Sequence, residues 1–167
     1  MRAVSTAAGV SPPSVYRHFP DKATLVRSVI AIRFAEFAAA IDVPAQADPL
    51  ARLEAMAAAY LRWGLARPGH YRLLFSATNA GPASLGLDEG TEHPGAPTCR
   101  SLVAAVSACL PTTAAEATAF PLATELWSSL HGIVDLRITK PEHPWPDPEA
   151  LLSPALAAVR AATDADS

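Results

Sequence analysis

No run of about eighteen uninterrupted apolar residues occurs in this sequence, so no segment is expected to cross a bilayer as a helix. The N-terminus carries charge but lacks the apolar stretch of a secretion signal. Aromatic residues make up only 7% of the chain and β-branched runs are scarce, and no stretch reads as a strand. There are two cysteines, Cys99 and Cys109, and they read as buried small hydrophobes rather than a disulfide, which suits a cytoplasmic chain. No nucleophile stands beside a base, no His/Cys cluster has metal-ligand spacing, and no Gly-rich loop could cradle a phosphate. These absences count against an enzyme, and neither a cofactor nor a metal is expected. His70, His93 and His143 each sit beside Pro or Gly and read as surface loop residues.

What is present points to an all-α protein. Half of the 167 residues are hydrophobic and Ala dominates that half, as suits a helical chain long enough for one or two small domains. The net charge of −3 hides an asymmetry. Residues 1–33 carry five basic side chains (Arg2, Arg17, Lys22, Arg27, Arg33) against Asp21 alone, a net +4. The remainder carries 8 basic and 15 acidic side chains, a net −7. A basic end on an acidic body suits a protein that meets phosphates at one end, although a solvated helix face would look the same by charge alone.

Helix punctuation divides the chain. A short helix over 1–8 closes at Gly9, and Ser11 can cap a second, with Pro12 at its first position, running to His18. Phe19-Pro20-Asp21 breaks it, and Asp21 can cap a long helix to Ile41 with Leu25, Val29, Ile32 and Phe37 near one face. A linker over 42–48 precedes a helix from Pro49 striped with Leu50, Leu53, Met56, Ala57, Tyr60 and Trp63 or Gly64. A short helix over 70–77 and a Gly/Pro-rich loop over 78–97 follow. Helices are then expected over 98–110, 114–138 and 148–163, with Pro121 either kinking the second of these or marking where its regular part begins. The two units are residues 1–41 and 42–167.

The informative stretch runs from Ala7 to Lys22. Two short helices joined by a glycine turn can cross steeply, so that the second lies in a major groove while the first braces it. Val15 and Phe19 face inward; Ser14, Arg17 and His18 face outward. Ala8, Gly9, Val10, Ser11, Val15, Tyr16, His18, Phe19 and Lys22 together closely resemble the helix-turn-helix of the TetR family of bacterial transcription regulators. The resemblance implies a DNA-binding set of Ser11 as helix cap, Tyr16, His18 and Lys22 on phosphates, and Pro12, Pro13, Ser14 and Arg17 at base edges. Members of that family carry a further helix before this motif. Here Met1 stands at the start of the second helix, so the reader segment is expected without its first helix.

Downstream, the segment from Tyr60 to Phe75 and the segment from Glu125 to Leu136, with its Trp-x-x-x-His-Gly pattern, resemble one TetR subgroup, often called the WHG type. The resemblance implies a helical ligand-binding and dimerisation domain. Trp127 and His131 share a helix face, and Gly132 is expected to admit a neighbouring helix. A ligand pocket walled by Tyr60, Trp63, Phe75 and Trp127 would have His131 as its polar group. For His131 itself the preferred reading is a core histidine bonded to a backbone carbonyl. Apolar stripes Leu122, Leu126, Leu130, Ile133 and Leu136, and Leu152, Leu156 and Val159, would build a four-helix bundle between two copies. The function expected is a homodimeric repressor that leaves double-stranded operator DNA when a small apolar effector binds. The alternative is a truncated helical ligand-binding and dimerisation protein that no longer reads DNA.

Overall fold

A computed structural model of the chain describes residues 1–75 and 92–164. The described residues are helices and their connections, with no strand among them. Helix α1 is Arg2–Ala7, α2 Pro12–His18, α3 Lys22–Ile41, α4 Pro49–Ala66 and α5 Pro68–Phe75. Then come α6 (Ala96–Cys109), α7 (Thr112–Thr139), a 3-10 turn (Glu149–Leu151), α8 (Leu152–Ala155) and α9 (Ala157–Asp164). No helix among the described residues is long and apolar enough to cross a membrane. The end of the expected helix at 76–77 and most of the expected loop at 78–97 lie outside the described residues.

The starts follow from side-chain caps. Ser11 and Asp21 accept the Ser14 and Thr24 backbone N–H groups, and Asp48 accepts that of Leu50 at 2.9 Å. Each satisfies a donor that the first helical turn leaves open. Pro12 and Pro49 occupy first-turn positions where a missing N–H costs nothing.

Helix α3 buries Ile30, Phe34, Phe37 and Ile41, a 4-3-4 spacing that lines one face. The expected stripe was rotated: Leu25 and Val29 are only half-buried, and Ile32 is 54% exposed. In α4, Leu53, Met56, Ala57, Tyr60, Trp63 and Gly64 are buried, as their periodicity implied. Gly64 is where backbone and side chains meet most closely. A Cβ there would lie 2.7 Å from Val134 Cγ1 and 3.0 Å from Tyr71 Cδ2. Gly132 was expected to play this part, but nothing lies within 4 Å of where its Cβ would be.

Helix α7 starts at Thr112 and runs through Pro121 rather than starting there. Ala119, Ala123, Leu126, Leu130 and Val134 form its inner face, while Leu122 and Ile133 are half-buried and Leu136 is exposed. The single helix expected over 148–163 is broken into a 3-10 turn and two short helices, where Pro154 withholds a backbone donor. Leu156 and Val159 are fully buried in the chain's own core, so they do not present a stripe to a second copy. Arg160 pins this end to α4 through Glu54 at 2.6 Å. Of the two cysteines, both free, Cys109 is buried as expected but Cys99 is exposed.

Candidate functional site

The chain has two regions of interest at opposite ends of α3. At its start, α1 and α2 are joined through Gly9, whose φ of +66° is a left-handed conformation that favours glycine. Val15 is buried and Phe19 half-buried, which turns the other face of α2 outward. Ser11 at the cap of that helix, Pro12, Pro13, Tyr16, Arg17 and His18 within it, and Lys22 at the start of α3 are all exposed, Tyr16 by 51%. Ser14 is half-buried and its hydroxyl lies 3.0 Å from that of Ser11, so it is engaged in the cap. The outward surface is thus phenol, guanidinium, imidazole and ammonium, all of which can donate to a phosphate. Asp21, next to it, is held below its ordinary carboxyl value chiefly by the Thr24 backbone N–H.

At the other end, α3 to α7 enclose a cavity of about 510 Å³. Its wall includes Phe34 and Phe37 from α3, Tyr60 from α4, Phe75 from α5, Leu102 and Val103 from α6, and Phe120, Trp127 and His131 from α7. No Asp, Glu, Lys or Arg is among the described wall residues. Rings interlock around it: Phe37 meets Tyr60 edge-on at 5.1 Å, and Phe75 lies 4.6 Å from Tyr71 and 5.1 Å from His131. Phe120 and Trp127, 61% and 40% exposed, stand where the cavity meets solvent.

Of the five residues expected at a pocket, Tyr60, Phe75, Trp127 and His131 share this wall. Trp63 does not. It is buried with Phe37 at 4.9 Å and the Arg67 guanidinium at 5.9 Å, because its position on α4 turns it away from the opening. His131 is not bonded to a backbone carbonyl. Its Nδ1 lies 2.7 Å from the Tyr71 hydroxyl, which in turn lies 2.8 Å from that of Tyr60. Burial pushes both tyrosines far above their ordinary value, so both stay neutral phenols; for Tyr60, the neighbouring Tyr71 and Trp127 side chains offset part of this.

His93, expected as a surface loop residue, does lie in a loop, but half-buried on the cavity wall, 5.4 Å from the Phe34 ring. Its Pro-Gly neighbourhood gave no hint of this. Gly95 beside it leaves room for Phe34: a Cβ there would come within 2.8 Å of that ring. Tyr71, the middle of the hydrogen-bond chain, is a site residue that the sequence did not single out.

Comparison with known families agrees with both ends of this description. Residues 1–29 match the family model for bacterial regulatory proteins of the tetR family. Residues 53–159, more than half of the chain, match the model for a tetracyclin repressor-like C-terminal domain. The chain belongs to the TetR family. It is thus a helix-turn-helix, DNA-binding transcription regulator with a helical C-terminal domain. No curated protein and no solved structure matched it. The exposed face of α2 belongs to the part matched as tetR, and nearly all of the cavity wall from Met56 onward to the part matched as repressor-like C-terminal domain.

Proposed function

We propose that this TetR-family regulator is a cytoplasmic homodimeric repressor, not an enzyme, that leaves its operator when a small apolar molecule fills the cavity. Residues 1–41 serve as reader and connecting helix, and residues 42–167 as the ligand-binding and dimerisation domain. The observation that carries this reading is α3. One 20-residue helix begins at Lys22, beside the exposed donors of α2, and ends with Phe34, Phe37 and Ile41 in the cavity wall. Tyr16, His18 and Lys22 contact phosphates, and Pro12, Pro13 and Arg17 face base edges. The two prolines can offer apolar contact to thymine methyls but no hydrogen bond.

Two copies associate through the outer face of α7, with the last helices alongside. Leu122, Glu125, Ser129, Gly132 and Leu136 follow a 3-4-3-4 spacing on that face, and all are exposed or half-exposed. The open space over Gly132 suits close approach of a second helix. A two-fold pair also matches what a reader needs to grip two half-sites one helical turn apart.

The test is fluorescence anisotropy of labelled DNA from upstream of the gene, titrated with the full chain at several salt concentrations. Sub-micromolar binding that exceeds binding to scrambled DNA is expected. Lys22→Ala should weaken it uniformly across sequences and reduce the salt slope by about one unit. Equal binding to scrambled DNA at every salt would leave a ligand-binding and dimerisation module and defeat the repressor reading.

A further inference from the structure

Two imidazoles line the cavity, and their partners fix where each ring carries its proton. His93 Nδ1 lies 3.0 Å from the Gly95 backbone N–H. A backbone amide can only donate, so this nitrogen is bare and the ring hydrogen sits on Nε2. At His131 the partner is a hydroxyl, which could donate or accept, and the chain continues to Tyr60. The far end decides its direction. Among the described residues, only the Tyr71 oxygen is placed to accept the Tyr60 hydroxyl proton. If Tyr60 donates to Tyr71, and Tyr71 to His131 Nδ1, every hydroxyl proton in the chain has an acceptor. The reverse direction would leave the Tyr60 proton without an acceptor among the described residues, in a residue only 5% exposed. His131 therefore also carries its hydrogen on Nε2, and no described residue accepts it.

The remaining wall sets the charge of the occupant. With no Asp, Glu, Lys or Arg on the described wall and both tyrosines held neutral, an ion entering the cavity would lose water without gaining a counter-charge from any described residue. We propose that the cavity takes a neutral, largely apolar molecule bearing a carbonyl acceptor, a ketone, ester or lactone, which the Nε2–H of His131 receives. This rests on the reading of the cavity as the effector site. His93 supplies a second donor of the same kind, and Tyr71 is a positioning residue that holds the His131 tautomer.

The test is calorimetric titration of the full chain with three probes of one chain length: 2-nonanone, nonanoate and nonylammonium. The ketone is expected to bind at least about ten-fold more tightly than either ion. His131→Phe, which keeps the ring and removes the N–H, should cost the ketone about five-fold, the worth of one hydrogen bond, while His131→Gln should restore much of it. An ion binding as tightly as the ketone overturns the proposal. So does ketone affinity unchanged in His131→Phe or, should that variant not fold, affinity in His131→Gln that no longer favours the ketone over the ions. If the probes bind without regard to charge or to residue 131, this inference alone fails. If none of the three binds, the effector-site reading fails with it.

Discussion

Replacing Gly64 by Ala, with Gly132→Ala as its partner experiment, isolates one term of the packing. Both glycines lie inside long helices, so each substitution gains the same helix propensity, about 1 kcal/mol. The surroundings differ. At Gly132 the new methyl meets nothing within 4 Å in its own chain. At Gly64 it would lie 2.7 Å from Val134 Cγ1 and about as close to the Tyr71 ring. Neither neighbour can yield cheaply. Val134 is fully buried and β-branched on a helix, where one side-chain rotamer dominates. Tyr71 is fully buried, with its hydroxyl held between Tyr60 and His131. Overpacking of this kind costs about 1–3 kcal/mol, which cancels or exceeds the propensity gain. The difference between the two variants is that overpacking cost alone. At about 2–4 °C per kcal/mol for a chain of this size, their melting temperatures should differ by between about 2 and 12 °C, with Gly64→Ala the lower. Far-UV circular dichroism measures this, with Gly132→Ala melted at several protein concentrations so that any effect on association is seen separately. Equal melting temperatures at every concentration would show that α4 and α7 are not in contact through Gly64.

Asp21 makes the reader sensitive to acid. Its folded-state value lies below the ordinary 3.8, so its contribution is fully present above that value and is lost as pH falls through the lower, folded one. The melting-temperature gap between the native chain and Asp21→Asn should therefore be open at neutral pH and shrink as pH falls below the ordinary carboxyl value of 3.8; a gap that widens there would reverse the assignment. Tyr71→Phe leaves both Tyr60 and His131 without their shared partner and should cost about 1–3 kcal/mol in denaturant unfolding. Tyr60→Phe should cost less, since Tyr71 can still donate to His131; the opposite order would contradict the direction assigned to the chain.

The reader was legible because its signals are local. A glycine at a left-handed turn, a serine cap, a proline in the first turn and an aspartate cap are each read within four residues, and the structure has all of them. The interior was legible only as composition. Helix α3 shows why: its apolar residues surround the axis, so periodicity alone picked a face containing Ile32, while the contacts of α4 and α5 select Ile30, Phe34, Phe37 and Ile41. Trp63 was assigned by residue type to a pocket that its position on α4 turns it from. His93 was dismissed by its neighbours in sequence, although its neighbours in space are Phe34 and Gly95. The pairing of Tyr71 with His131 joins residues sixty positions apart, and nothing local to either announces it.

Phe34 is the residue through which an occupied cavity would be felt at the DNA. It lies in the cavity wall on the same helix as Lys22, about 18 Å along the axis at 1.5 Å per residue. Its ring touches Phe75 at 6.1 Å and His93 at 5.4 Å, and the absent Cβ of Gly95 gives it its place. A ligand changes the equilibrium between two arrangements only by its differential affinity for them. An occupant that must displace this ring binds one position of α3 better than another, and one that fits without touching it does not. Phe34→Leu shortens the side chain while keeping it apolar. The variant should bind 2-nonanone at least as tightly as the native chain, and the ketone should release it from DNA less completely at equal occupancy. Calorimetry gives the occupancy and anisotropy of labelled DNA gives the release. Release that follows occupancy identically in both proteins would show that the signal leaves the cavity by a route other than α3.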